Sequence, residues 1–112
     1  MAERGAVFRL KRKLGFGQGD LGEPVVVMQA SELNAALPTT IVVPLDLALD
    51  LYDGIPTVPV SPEEVGATER YVALPTQLRT ISLERLAPGA VGHLRPKTIV
   101  ALDEMVRVVL DL

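Results

Sequence analysis

The chain of 112 residues is 48% apolar and 22% charged, has no Cys and no Trp, and carries a net charge of −3. That length fits one domain over residues 1–112, burying about 65% of its unfolded surface. The composition excludes disulfide frameworks, zinc fingers and thiol catalysis, and it is too apolar for disorder. Apolar runs such as Val25-Val26-Val27-Met28 are too short to span a membrane. Charges throughout the first dozen residues leave a cytoplasmic location as the expectation.

The elements follow in order. Ala6, Phe8 and Leu10 alternate with Val7, Arg9 and Lys11, the period of a half-buried strand. Gly15 to Gly22 holds four glycines and reads as a loop; no Gly-Lys-Ser/Thr follows, so it is no phosphate-cradling P-loop. Pro24 to Met28 is a β-branched run with the look of a central strand, and its proline is expected only at the start. Ser31 to Leu37 reads as a helical turn with Ser31 as N-cap, stopped by Pro38. Thr40 to Val43 is a further strand that Leu45 extends past Pro44. Asp53-Gly54 marks a turn, and Val58 and Val60 suggest a Pro-flanked edge strand. Tyr71–Leu74, Leu78–Ile81 and Ala90–Leu94 are short strands, with one helical turn over Ser82–Leu86. Pro96 opens a helix in which Ile99, Leu102, Met105, Val106, Val109 and Leu110 form one apolar stripe. Short strands closed by an amphipathic helix predict a mostly β fold, a small barrel or strongly bent sheet.

The charge is uneven. Residues 1–13 carry +4, residues 20–69 hold nine acids and no base, and residues 70–112 carry +2. The basic cluster around Arg9, Lys11, Arg12 and Lys13 has two readings, a contact for phosphate or a solvated basic edge strand.

Gly22-Glu23-Pro24-Val25-Val26-Val27-Met28-Gln29, followed by Leu37-Pro38-Thr39-Thr40-Ile41-Val42-Val43-Pro44-Leu45, resembles the MazF/PemK toxins. Gln77-Leu78-Arg79-Thr80-Ile81-Ser82 and Val91-Gly92-His93-Leu94 resemble them in the same order. The resemblance implies an SH3-like barrel with a C-terminal helix, a cytoplasmic homodimer, and a cognate antitoxin protein as partner. It also implies cofactor-free, metal-independent and sequence-selective cleavage of single-stranded RNA, by attack of the ribose 2′-OH on the adjacent phosphate. Such chemistry needs a base, an acid and a cation.

Three positions depart from the family pattern. Glu23 stands where Arg usually precedes the proline, Asp46 where Thr or Ser usually follows the third strand, and Thr76 where the PemK branch has Asp. In that branch an Arg two residues earlier corresponds to Leu74. Gln77, Arg79 and Thr80 remain. The expected catalytic set is therefore Arg79, Asp46, Glu23 and Thr80, with Arg12, Lys13, Phe16, Gln18 and Gln77 contacting RNA. Each has a bland alternative: an exposed strand Arg beside a cross-strand Thr, and ordinary loop acids at Glu23 and Asp46. A catalytically degenerate relative that binds antitoxin or nucleic acid without cleavage is the second functional reading. A third, a toxin resembling the gyrase poison CcdB, fits poorly with the Val-Val-Leu-Asp-Leu ending. His93 is the only histidine and reads as a hydrogen-bonded strand residue. No ligand spacing points to a metal. Phe8 and Tyr71 are expected in the core, leaving Tyr52 and Phe16 to touch bases or a partner.

Overall fold

A computed structural model describes residues 2–11 and 21–112. Its elements are β1 (Ala6–Lys11), β2 (Leu21–Val27), α1 (Ser31–Ala36), β3 (Thr39–Leu47), β4 (Val58–Val60), α2 (Pro62–Val65), β5 (Tyr71–Ala73), β6 (Arg79–Ser82), β7 (Gly92–His93) and α3 (Pro96–Leu110). The strands follow the order β4-β5-β3-β2-β1-β7, with β6 also on β3. Every pairing is antiparallel.

β3 organises the sheet. It pairs with β2 through Val42–Pro44, with β6 through Thr39–Val42, and with β5 through Leu45–Leu47. The result is the mostly β half-barrel with a C-terminal helix that the sequence predicts. Side chains alternate across it, so one face carries Val7, Val26, Val43 and Leu45 against Leu94 and Leu102. The other carries Phe8, Leu10, Val25, Val27, Val42 and Ile81. Full burial of each such side chain is worth about 1.5–3 kcal/mol. Val7 is fully buried, so β1 is buried on both faces near its start rather than half-buried.

Burial of the Asn34 side chain is matched by hydrogen bonds. The Asn34 amide donates to the Ala2 and Gln29 carbonyls at 2.9 and 3.3 Å. Its oxygen accepts from Gln29 at 2.9 Å and from the Thr40 hydroxyl at 2.6 Å. This network ties the start of the chain to α1 and β3 without an unsatisfied buried amide.

Several expectations need correction. Pro24 lies inside β2, opposite Arg9, at a level where the β3 pairing has already ended, so its missing N–H breaks no ladder there. Leu21 and Gly22 belong to the same strand rather than to a glycine loop. Ser31 does not cap α1; Ala30 occupies that position, and the Ser31 hydroxyl accepts from the Arg4 backbone N–H at 3.0 Å. β1 is not an edge, because β2 and β7 flank it. Helix α2 was not expected at all. It packs against β7 so closely that a Cβ at Gly92 would collide with the Glu64 carbonyl. On its other side Gly66 adopts a left-handed φ of 67° against the Val91 carbonyl. At α3 the stripe holds at buried Leu102 and half-buried Ile99, Met105 and Val106, while Leu110 is exposed. No helix among the described residues is long and apolar enough to cross a membrane.

Candidate active site

Strand alternation decides which sequence candidates meet. Glu23 shares a face of β2 with Val25 and Val27, two residues on each time. Arg79 shares a face of β6 with Ile81. Both therefore sit beyond the rim of the same apolar cluster, and the Arg79 guanidinium donates to a Glu23 carboxylate oxygen at 3.3 Å. The side chains remain 44% and 59% exposed. An ion pair this open contributes about 0–1 kcal/mol, so an incoming anion can displace one partner at small cost.

Asp46 stands on β3. It lies two residues beyond Pro44, where the pairing with β2 has ended and β3 pairs with β5 instead. The Asp46 carboxylate accepts from the Leu47 backbone N–H at 2.8 Å and, through its other oxygen, from the Tyr52 hydroxyl. Tyr52 belongs to the 3-10 turn Asp50–Tyr52, which folds back after β3. Its hydroxyl proton is held above the usual tyrosine range, first by the hydrogen bond to Asp46, then by burial and by the Asp46 charge. The carboxylate is thus fixed in position as an acceptor beside a neutral phenol.

The other candidates divide. Gln77 is exposed at the end of the 3-10 turn Pro75–Gln77, immediately before β6, where its amide faces solvent. Thr80 is exposed opposite Ile41 and alternates to the other face of β6 from Arg79. Thr76 is exposed and Leu74 is buried, a core residue at a position where the PemK branch carries a charge. Arg12, Lys13, Phe16 and Gln18 lie outside the described residues.

His93 stands apart on β7, its Nδ1 2.8 Å from the Leu94 carbonyl oxygen, in the hydrogen-bonded role expected of it. Phe8 is buried and Tyr71 packs against the core, also as expected. Among the described residues no group of three or more His, Cys, Asp or Glu could hold a metal ion.

Two features escaped the sequence reading. One is Tyr52 as the partner of Asp46. The other is a second acid–base centre, where Glu64 of α2 is 4% exposed and accepts three hydrogen bonds. Its Oε1 takes the Ser61 backbone N–H at 3.1 Å and hydroxyl at 2.9 Å, and its Oε2 takes the Arg95 backbone N–H at 2.7 Å. The Arg95 guanidinium lies 3.5 Å from Oε1 and donates to the Ser61 hydroxyl at 2.6 Å. Ser61-Pro62-Glu63-Glu64 is a capping box, a spacing visible in the sequence.

Comparison with known proteins fits this architecture. A family model for the PemK-like, MazF-like toxin of type II toxin-antitoxin systems matches residues 3–110. No curated protein matches the sequence. Among solved structures, the fold is similar to a mycobacterial endoribonuclease in complex with its cognate antitoxin, at 21% identity and a TM-score of 0.75 over 98% of this chain and 95% of that one. It is also similar to the Mycobacterium tuberculosis toxin MazF-mt6, at 18% identity and a TM-score of 0.75 over 96% and 97% of the two chains. A third is MazF of a Deinococcus radiodurans MazE-MazF structure, at 15% identity and a TM-score of 0.74 over 98% and 96%.

Proposed function

Because the chain belongs to the PemK-like, MazF-like toxin family of type II toxin–antitoxin systems, we propose that it is the cytoplasmic toxin of such a pair, an endoribonuclease. Its substrate is single-stranded RNA, cut at short preferred sequences without a metal. The observation that carries this reading is the open Glu23–Arg79 pair, a permanent cation beside a carboxylate on a solvent-facing rim.

The chemistry follows from those groups. The scissile phosphate displaces Glu23 from Arg79, whose planar guanidinium takes up charge on the phosphoryl oxygens. Glu23, released within reach of that phosphate, accepts the proton of the ribose 2′-OH. The 2′-oxygen bonds to phosphorus, the bond to the 5′-oxygen breaks, and solvent protonates the leaving oxygen at this exposed site. The products are a 2′,3′-cyclic phosphate and a 5′-hydroxyl. Asp46, held by Tyr52 and Leu47, acts as a fixed acceptor for ribose or base donors, and Gln77 offers amide contacts to a base. Thr80 takes no part in these steps.

The protein acts as a homodimer and is neutralised by a cognate antitoxin. Exposed Val100, Val108 and Leu112 on and after α3 support a protein-covered surface, and MazF of D. radiodurans is solved with MazE. Sedimentation at micromolar protein is expected to give a dimer.

A second reading has its own observation. Glu23 neutralises Arg79, which also suits a degenerate module that binds without cutting. Purified protein incubated with long single-stranded RNA in EDTA separates the two. Reproducible cuts ending in 5′-hydroxyl support the endoribonuclease; folded protein that yields none, but gains cleavage on Glu23→Arg, supports the degenerate module.

A further inference from the structure

A cleft of about 670 Å³ lies away from the Glu23–Arg79 pair, between the β4–β5 ribbon and the start of α3. Arg70, Arg95 and Lys97 all line it. Arg95 is already committed, to Ser61 at 2.6 Å and to buried Glu64 at 3.5 Å. Arg70 and Lys97 are exposed, and among the described residues neither stands in an ion pair. Glu63 also lines the cleft; its carboxyl is held below the usual carboxylate range by a backbone hydrogen bond and by Ser61, with Arg95 as the nearby cation. Both acids sit beside Ser61 and Arg95, so the cleft, with three cations against two carboxylates, keeps a net positive charge of one, and its unpaired cations are Arg70 and Lys97.

The cleft is aligned with the site on the other strands. Pro59 lies opposite Val72, and Val72 opposite Asp46, so the three form a row across β4, β5 and β3. Directly opposed residues present their side chains on one face. Pro59 and Val72 line the cleft, and Asp46 ends the row. With strands about 4.8 Å apart, the row is about 10 Å long, a distance that a few nucleotides bridge. Its apolar residues Pro59 and Val72 suit ribose and base faces, and Arg70 and Lys97 in the same cleft suit phosphate.

We infer that this cleft is a second phosphate-binding subsite, in which Arg70 and Lys97 hold the backbone of the single-stranded RNA that flanks the bond at Glu23 and Arg79. The inference rests on the RNA-cleaving reading above and specifies the path of the strand. Binding of a fluorescent single-stranded RNA, made uncleavable by 2′-O-methylation, is measured against salt for the full chain. The Arg70→Ala/Lys97→Ala double variant is compared with Arg107→Ala, which removes an exposed cation from the far end of α3. Loss of two phosphate contacts reduces the salt slope of log K by about 1.4, and cleavage of unmodified RNA slows at subsaturating RNA while the melting temperature holds. A slope that is unchanged in the double variant, with wild-type protein still binding and cutting, overturns the inference and leaves the activity standing. An equal fall in Arg107→Ala also overturns it, since net charge alone then accounts for the effect. If the double variant loses binding of a poly-glutamate peptide but not of RNA, the occupant is an acidic protein segment and the subsite is not for RNA. Wild-type protein that neither binds nor cuts RNA removes the functional reading itself and the inference with it.

Discussion

Two Glu–Arg pairs in this molecule use the same chemistry to opposite ends. Glu64 is 4% exposed and locked to Ser61 and Arg95 by three hydrogen bonds in addition to the guanidinium. Glu23 is 59% exposed on its side chain and holds Arg79 through a single 3.3 Å contact. Burial raises the cost of a charge, and only a full set of donors offsets it. At Glu64 burial is the largest single influence and pushes the carboxyl up, yet the donors from Arg95, Ser61 and Thr98 together hold it below its ordinary value of 4.5. The buried pair is therefore architecture, joining α2 to the start of α3. The open pair is replaceable, which is what a site that exchanges a carboxylate for a phosphate requires.

The largest expected effect breaks the buried pair. Glu64→Ala leaves Arg95 and two backbone N–H groups without their acceptor, a loss of about 3–5 kcal/mol. Thermal melting checks it, and a fall of less than about 10 °C would mean that the region relaxes or takes up water. Glu23→Ala is expected to shift stability by no more than about 1 kcal/mol.

The next effect concerns activity rather than folding. Arg79→Ala removes the cation that faces the phosphate, and loss of such a group costs about 10²–10³ in rate. Cleavage and melting are measured on the same preparation. Equal losses of fold and activity would make Arg79 a structural residue, and Arg79→Lys is expected to recover only part of the rate because a point charge replaces a planar fork.

This contrast also explains what the sequence could reveal. The strands and α3 were legible because their side chains obey periods of 2 and 3.6. β3 ran past Pro44 to Leu47, as Leu45 suggested. The capping box at Ser61 and Glu64 was written in the sequence, but the prolines around it read as edge-strand punctuation and hid α2. Resemblance brought Glu23, Asp46 and Arg79 forward as positions. Their pairing was not legible, because Glu23 and Arg79 are 56 residues apart and meet only through the register of three strands. Thr80 was adjacent in sequence to Arg79, and strand alternation sends it to the opposite face. Tyr52 was read as a free aromatic, since nothing in a linear sequence announces that a 3-10 turn returns it to Asp46.

Acid sharpens the same comparison. A carboxyl whose folded pKa lies below its unfolded value stabilises the fold above that unfolded value and ceases to do so as pH falls through the folded one. Glu64 is such a group, so its contribution is intact at neutral pH and fades below about 4.5. Glu64→Gln keeps the shape but turns an N–H₂ toward one of the donors. Its melting temperature is expected to lie well below wild type at pH 7 and to converge with it in acid. A gap that stays constant down to low pH would show that the charge of Glu64 is not what the donors recognise.

The smallest effect belongs to Tyr52, and its sign runs the other way. The Asp46 carboxylate, with burial and its own charge, raises the Tyr52 pKa above its ordinary 10.0. A raised folded pKa means that the stabilisation is complete below the unfolded value and is lost as pH rises through the folded one. Tyr52→Phe is therefore expected to lower the melting temperature slightly at neutral pH, with the gap closing in strong alkali. Removing the hydroxyl leaves Asp46 with the Leu47 N–H alone, so the carboxylate keeps its charge but loses the donor that aims it. Cleavage should fall less than in Arg79→Ala, and the loss should fall on KM if Asp46 grips ribose or base without entering the proton transfer. A loss confined to kcat would instead move Asp46, with Tyr52 behind it, into the chemical step that Glu23 is assigned.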